Sequence, residues 1–166
     1  MTPRFALLAA LLAVATPAVA TAQRPRPSQE QVDRMSGPMF GIRGGYDFDA
    51  KLGSYGAQVR IPLDWNLQFA PSVDAITTNG QSTVQGNVDL IATGRKGLFY
   101  LGGGLAIIKP PAGGATKYGA NIFPGIDLPE LLDLPVRPFV EARWTFTDGS
   151  TPFRVLFGVN FQFGQR

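Results

Sequence analysis

Phe153-Arg154-Val155-Leu156-Phe157-Gly158-Val159-Asn160-Phe161-Gln162-Phe163 is the stretch that decides the fold. Every odd position is Phe or Val, and the even positions are mostly polar or small. Successive side chains of an extended chain point to opposite faces. This segment is therefore predicted to be a strand with one greasy face and one largely polar face. Which face meets water depends on the rest of the chain.

The same period of two runs back to Met39. The first predicted strand, about Met39 to Phe48, puts Phe40, Ile42, Tyr46 and Phe48 opposite Arg43 and Asp47. The second is Tyr55 to Ile61, followed by a turn at Pro62-Leu63-Asp64. The third runs from Trp65 to about Ile76, with Pro71 marking a bulge or a locally open ladder. Asn79-Gly80 is a hairpin signal, and the fourth strand, Ser82 to Thr93, follows it. The fifth, Leu98 to Ile108, is apolar on both faces around Gly102-Gly103-Gly104. Those glycines are expected either to let the strand coil or to leave room for a ligand. The sixth is about Thr116 to Ile126, and the seventh Val136 to Phe146. The link Asp127 to Pro135 between them has the composition for one helical turn.

Eight strands of this length match what a tilted strand needs to cross a bilayer, and their connections are short. The predicted fold is an all-β, eight-stranded, antiparallel up-and-down barrel that spans a membrane and has a polar interior. The interior of such a barrel is just wide enough for side chains to fill, and that many aromatic rings are hard to fit inward. Aromatics also recur near strand ends, at Phe40, Phe48, Tyr55, Trp65, Tyr118, Phe146, Phe153 and Phe163, where interface girdles form. With the greasy face turned to lipid, the interior receives Arg43, Arg60, Arg143 and Arg154 together with Asp47, Asp89 and Glu141. Buried charges persist when they are paired. The set has two readings, a stabilising network or a gated switch in a narrow pore. The opposite assignment, apolar side inward, gives a soluble lipocalin-like barrel that binds or transports a small apolar ligand.

Ahead of the barrel, Met1 to Ala22 has the form of a secretory signal peptide. Arg4 precedes an apolar run from Phe5 to Ala15, and small-x-small cleavage sites follow. That run is shorter than the roughly 20 residues of a membrane-spanning helix. Residues 23–37 are polar and contain prolines, and are read as a periplasmic linker or a short helix beside the barrel. Residues 38–166 form the barrel domain. The chain has no cysteine and no histidine, which removes the commonest thiol, general-base and metal-ligand chemistries. Its net charge of +3 is scattered along the chain and gives no nucleic-acid footprint.

Three stretches carry a family resemblance: Leu98-Phe99-Tyr100-Leu101-Gly102-Gly103-Gly104, Arg137-Pro138-Phe139-Val140-Glu141-Ala142-Arg143-Trp144, and the final strand. They resemble the bacterial outer-membrane β-barrel family, in particular the small eight-stranded members related to OmpA and OmpX. The resemblance covers about Gly37 to Arg166. It implies a monomer in the bacterial outer membrane, with lipid and the barrel-assembly machinery as partners and no cofactor or metal. It also makes Phe161 and Phe163 the assembly signal, although Gly164-Gln165-Arg166 follow the aromatic that usually ends such a strand. With the N-terminus periplasmic, the Asp127–Pro135 link falls on the side where turns are usually short. The expected role is structural or interactive, with a largely non-conducting interior. Small lipid-modifying barrels use His with Ser or Asp, so an enzyme is not expected.

Overall fold

A computed structural model describes residues 37–64, 66–78, 81–94, 97–111, 114–128 and 136–163. It is a closed barrel of eight strands. They are β1 (Met39–Asp47), β2 (Leu52–Asp64), β3 (Leu67–Thr78), β4 (Gln81–Thr93), β5 (Phe99–Lys109), β6 (Lys117–Asp127), β7 (Val136–Thr147) and β8 (Phe153–Gln162). Each strand pairs antiparallel with its sequence neighbour. The barrel shuts where β8 meets β1, from Met39 opposite Gln162 to Asp47 opposite Arg154. Closure leaves no sheet edge. The expected leader, residues 23–36, Trp65, the Asn79-Gly80 turn, the 129–135 link and the three-residue tail lie outside the described residues.

The two ends of the barrel differ in what they carry. One end holds Gly37, Phe163 and the connections β2–β3, β4–β5 and β6–β7; we call it the terminal end. The other, the hairpin end, holds the connections β1–β2, β3–β4, β5–β6 and β7–β8. At the hairpin end the Asp49 carboxylate accepts a hydrogen bond from the Phe153 amide, tying two connections together.

One expected turn is a strand. Pro62-Leu63-Asp64 continues β2, and the register shifts between Pro62 and Asp64 as at a bulge. Proline is tolerated there because a bulge relieves it of ladder bonding. Pro71 opens the ladder as expected: β2–β3 pairing stops at Gln58–Ser72 and resumes at Ile61–Phe69 in the same register. Pro124 stands in a similar gap between Ile122–Trp144 and Gly125–Glu141.

The alternation sorts the side chains as the sequence predicted. Ile42, Tyr55, Val88, Leu105, Tyr118 and Phe157 are exposed on the outside of the barrel. Arg43, Arg60, Asp89, Glu141, Arg143 and Arg154 are buried inside it. Near the hairpin end four outer rings touch in series: Tyr46 on Phe48, Phe48 on Phe153, and Phe153 on Trp144, with centroids 4.8–5.3 Å apart. A water-soluble barrel would bury those rings and expose the arginines. The apolar-in, lipocalin-like assignment therefore fails on side-chain placement.

Candidate functional site

The interior side chains form three tiers, because inward positions of neighbouring strands meet at matched heights in the register. The hairpin-side tier is built on β1, β3 and β8. Arg43 grips Asp74 with two bonds, Nε to Oδ1 at 2.7 Å and Nη2 to Oδ2 at 2.6 Å. Its remaining donors reach the Gln58 amide oxygen at 3.0 Å and the Ser72 hydroxyl at 2.8 Å. Bidentate arginine–carboxylate pairs of this kind are the strong class of charge-assisted bond. Arg154 donates to Gln85 at 2.7 Å and to the Thr145 hydroxyl at 3.0 Å. Its carboxylate neighbours are more distant, Asp74 at 3.8 Å and Asp47 at 3.9 Å. Asp47 accepts the backbone amides of Asp49 and Ala50, which fixes the first hairpin turn onto the lumen.

The middle tier is built on β4, β6 and β7. Arg143 donates to Asp89 and to Glu141, each at 2.8 Å. Its guanidinium lies 4.0 Å from the centre of the Phe123 ring. Asn121 bonds Asp89 and Asn87, and Asn87 in turn bonds Asp74, which joins the middle tier to the hairpin-side tier.

The terminal-side tier is aromatic. Arg60 donates to both Asp127 oxygens, at 3.0 and 2.9 Å, and to the Tyr100 hydroxyl at 3.1 Å. Its guanidinium sits 4.7 Å from the Tyr100 ring and 5.0 Å from the Phe139 ring. Tyr100 passes its own proton toward Glu141 at 3.3 Å, linking this tier to the middle one. Ala70, Ile91 and Phe123 pack beside Tyr100 and complete an apolar plug around the charge.

Inward glycines make room for the large side chains. Gly102 faces Phe123, Gly125 faces Tyr100, and Gly158 faces Phe139. A Cβ on any of the three would collide with the opposing ring. The Gly102–Gly104 run therefore serves close packing on the inward face of β5. Phe123 fills the place of a Gly102 side chain, Asp89 crowds Gly104, and Gly103 is on the outward parity.

All seven charged residues singled out from the sequence line this lumen, but not every expected pairing forms. The predicted carboxylates Asp47, Asp89 and Glu141 are not shared evenly among the four arginines, and of them Arg154 has only Asp47 within ion-pair reach. Asp89 and Glu141 belong to Arg143. Asp74 and Asp127 were missing from the predicted set, although each holds an arginine. Asp74 sat on the predicted polar face of its strand and was readable by parity. Asp127 was assigned to a connection, one residue beyond its strand. Tyr100, Phe123 and Phe139 were hidden because β5 to β7 carry apolar residues on both faces. Phe161 is half-buried on β8, opposite Phe40 and Val136. Phe163 is exposed, and its amide bonds the Pro38 carbonyl at 3.1 Å.

No protein-family model and no curated protein matches the sequence. The structure is similar to the crystal structure of the N-terminal β-barrel domain of Pseudomonas aeruginosa OprF. The TM-score is 0.64 and the identity 16%, over 78% of this chain and 98% of that one. It is also similar to the solution structure of TMB2.3, a de novo designed protein, with a TM-score of 0.53 and 11% identity over 78% and 96% of the two chains. The chain thus has the fold of a small, outer-membrane-type, eight-stranded β-barrel with a charged, arginine-rich lumen.

Proposed function

We propose that this protein is an outer-membrane barrel with a structural or interaction role and a sealed lumen. The observation that carries the reading is the tiered interior, in which Arg43, Arg143 and Arg60 are each clamped by carboxylates at successive heights. Among the described residues, four buried arginines face buried Asp47, Asp74, Asp89 and Glu141, with Asp127 and Arg137 half-buried at the terminal mouth. Charge is balanced and side chains fill the bore. A narrow bore packed this way favours a stable stave over a conduit.

The apolar outer belt supports residence in a bilayer, and the leader expected over residues 1–22 supports export to the outer membrane. Lipid and the barrel-assembly machinery are the proposed partners, with the barrel acting as a monomer. Catalysis is not part of the reading. Glu141 is engaged by Arg143 and Tyr100.

Cell fractionation with gel migration of heated and unheated samples tests the reading. The expected result is an outer-membrane band that changes mobility on heating; a soluble periplasmic protein would overturn it. For assembly, Phe163→Ala is expected to lower the yield of inserted barrel while leaving the stability of folded barrel nearly unchanged. Normal insertion of that variant would remove the assembly role.

A further inference from the structure

The outer wall is not evenly covered. Two transverse rows of the sheet, Phe40–Val59–Pro71–Val88–Leu105 and Ala57–Val73–Gly86–Ile107–Tyr118, frame a furrow of about 810 Å³. Its floor is low because Ala57, Pro71 and Gly86 are small, and a Cβ at Gly86 would meet nothing within 4 Å. The furrow begins at Phe40, near the terminal end, and finishes at Tyr118, near the hairpin end. Crossing five strand intervals of roughly 4.8 Å gives it a length of about 24 Å. Rows perpendicular to strands tilted roughly 35–45° climb the wall obliquely, about 15 Å over that length, and the two-residue step from the first row to the second adds about 5 Å along the barrel axis. The total rise of about 20 Å is two-thirds of a hydrocarbon core roughly 30 Å thick.

A cation stands at its upper end. Lys109 follows Ile107 on the outward face of β5 and lies opposite Val84. Among the described residues it is the one charged side chain on the outward faces of β3 to β6, and it is exposed and makes no ion pair. Beside it, at the other corner of the furrow, is the exposed Tyr118. An apolar trough that stays within the hydrocarbon core, with a free ammonium at its lip, matches the two halves of one molecule.

We infer that this furrow seats one acyl chain of a phosphate-bearing lipid, with Lys109 holding the headgroup phosphate. The inference rests on the membrane reading above, since the wall must face a bilayer. A second copy of the chain is disfavoured as occupant, because it would bring its own apolar wall against Lys109 and leave the ammonium buried and unpaired.

Native mass spectrometry of the folded barrel in detergent tests this with phosphatidic acid, phosphatidylcholine and inorganic phosphate as probes. The expected result is one retained phosphatidic acid per barrel, favoured over phosphatidylcholine about tenfold. Lys109→Glu and Gly86→Trp should each reduce retention about tenfold, one by charge and one by filling the trough. Ala142→Leu, on the outward face of β7, should leave retention unchanged. Heat-dependent gel migration checks that each variant is folded, and Gly86→Leu replaces Gly86→Trp if the latter does not fold. Equal retention of both lipids, or wild-type retention by the Lys109 and Gly86 variants, would overturn the furrow. So would binding of inorganic phosphate as tight as that of phosphatidic acid, which would mean a phosphate site without a chain seat. Insertion into phosphatidylcholine vesicles separates the two readings. A barrel that inserts but does not discriminate between the lipids fails the furrow alone, whereas a chain that stays soluble without detergent fails the membrane reading and the furrow with it.

Discussion

The two halves of the lumen hold arginines by different physics. In the hairpin-side half, Arg43 is enclosed by Asp74, Gln58 and Ser72, all polar, and the neighbouring Arg154 by Gln85 and Thr145. In the terminal-side half, Arg60 is pressed between the Tyr100 and Phe139 rings and pinned by Asp127 at the mouth. A polar shell supplies strong directed bonds but fails if one member is lost. A ring shell supplies weaker attraction, worth about 0.5–2 kcal/mol per contact, but does not depend on one carboxylate. The contrast teaches that a narrow barrel can bury a guanidinium without a matching acid at every side, provided glycines on the facing strands leave space for rings.

The comparison is broken most readily by removing one carboxylate from each half. Asp74→Ala strips Arg43 of its bidentate partner and Arg154 of a neighbour at 3.8 Å. Leaving such charges uncompensated is expected to cost about 3–5 kcal/mol. Asp127→Ala leaves Arg60 its two rings, the Tyr100 hydroxyl and access to the mouth, for an expected loss of about 2 kcal/mol. Urea unfolding in lipid vesicles measures both, and equal losses, or the reverse order, would erase the distinction. Gly102→Leu tests the ring shell from the opposite side. It drives a side chain into the space of Phe123 and should cost about 1–3 kcal/mol in the same assay, whereas a neutral result would mean that the rings have room to move. The smallest expected effect comes from Tyr100→Phe, which keeps the ring against Arg60 and removes only the hydroxyl bonds to Arg60 and Glu141. A loss of about 1 kcal/mol is expected; a loss as large as that of Asp74→Ala would mean that the hydroxyl, and not stacking, holds the terminal half.

The two halves were also unequally legible in the sequence. Strict alternation in β1, β2, β7 and β8 marks Arg43, Arg60, Arg143 and Arg154 as sharing the face opposite Phe40, Val59, Trp144 and Phe157, so the arginines and their inward direction could be read directly. Their partners could not. Arg43 and Asp74 are 31 residues apart and Arg60 and Asp127 are 67 apart, so the pairing is set by register around the closed barrel. The ring shell was obscured further. Tyr100, Phe123 and Phe139 are aromatic residues at inward positions of strands whose outward face is apolar too, so period two does not single them out. The signal that remained was the glycines: Gly102, Gly125 and Gly158 stand opposite those three rings in the register. The turn expected at Pro62-Leu63-Asp64 failed for a related reason, since a proline at a bulge and a proline at a turn look alike in sequence.

In the proposed role these charges seal and stabilise the lumen and do not gate it. Glu141→Ala tests this most directly, because Glu141 touches both the middle tier through Arg143 and the ring shell through Tyr100, while Arg143 keeps Asp89. Purified wild type and Glu141→Ala are compared in planar bilayers and by thermal unfolding. No discrete current steps are expected from either protein, and the variant is expected to unfold at a lower temperature, with a loss of about 1.5–3 kcal/mol. Conductance steps that appear or grow with Glu141→Ala, at unchanged thermal stability, would contradict the sealing role.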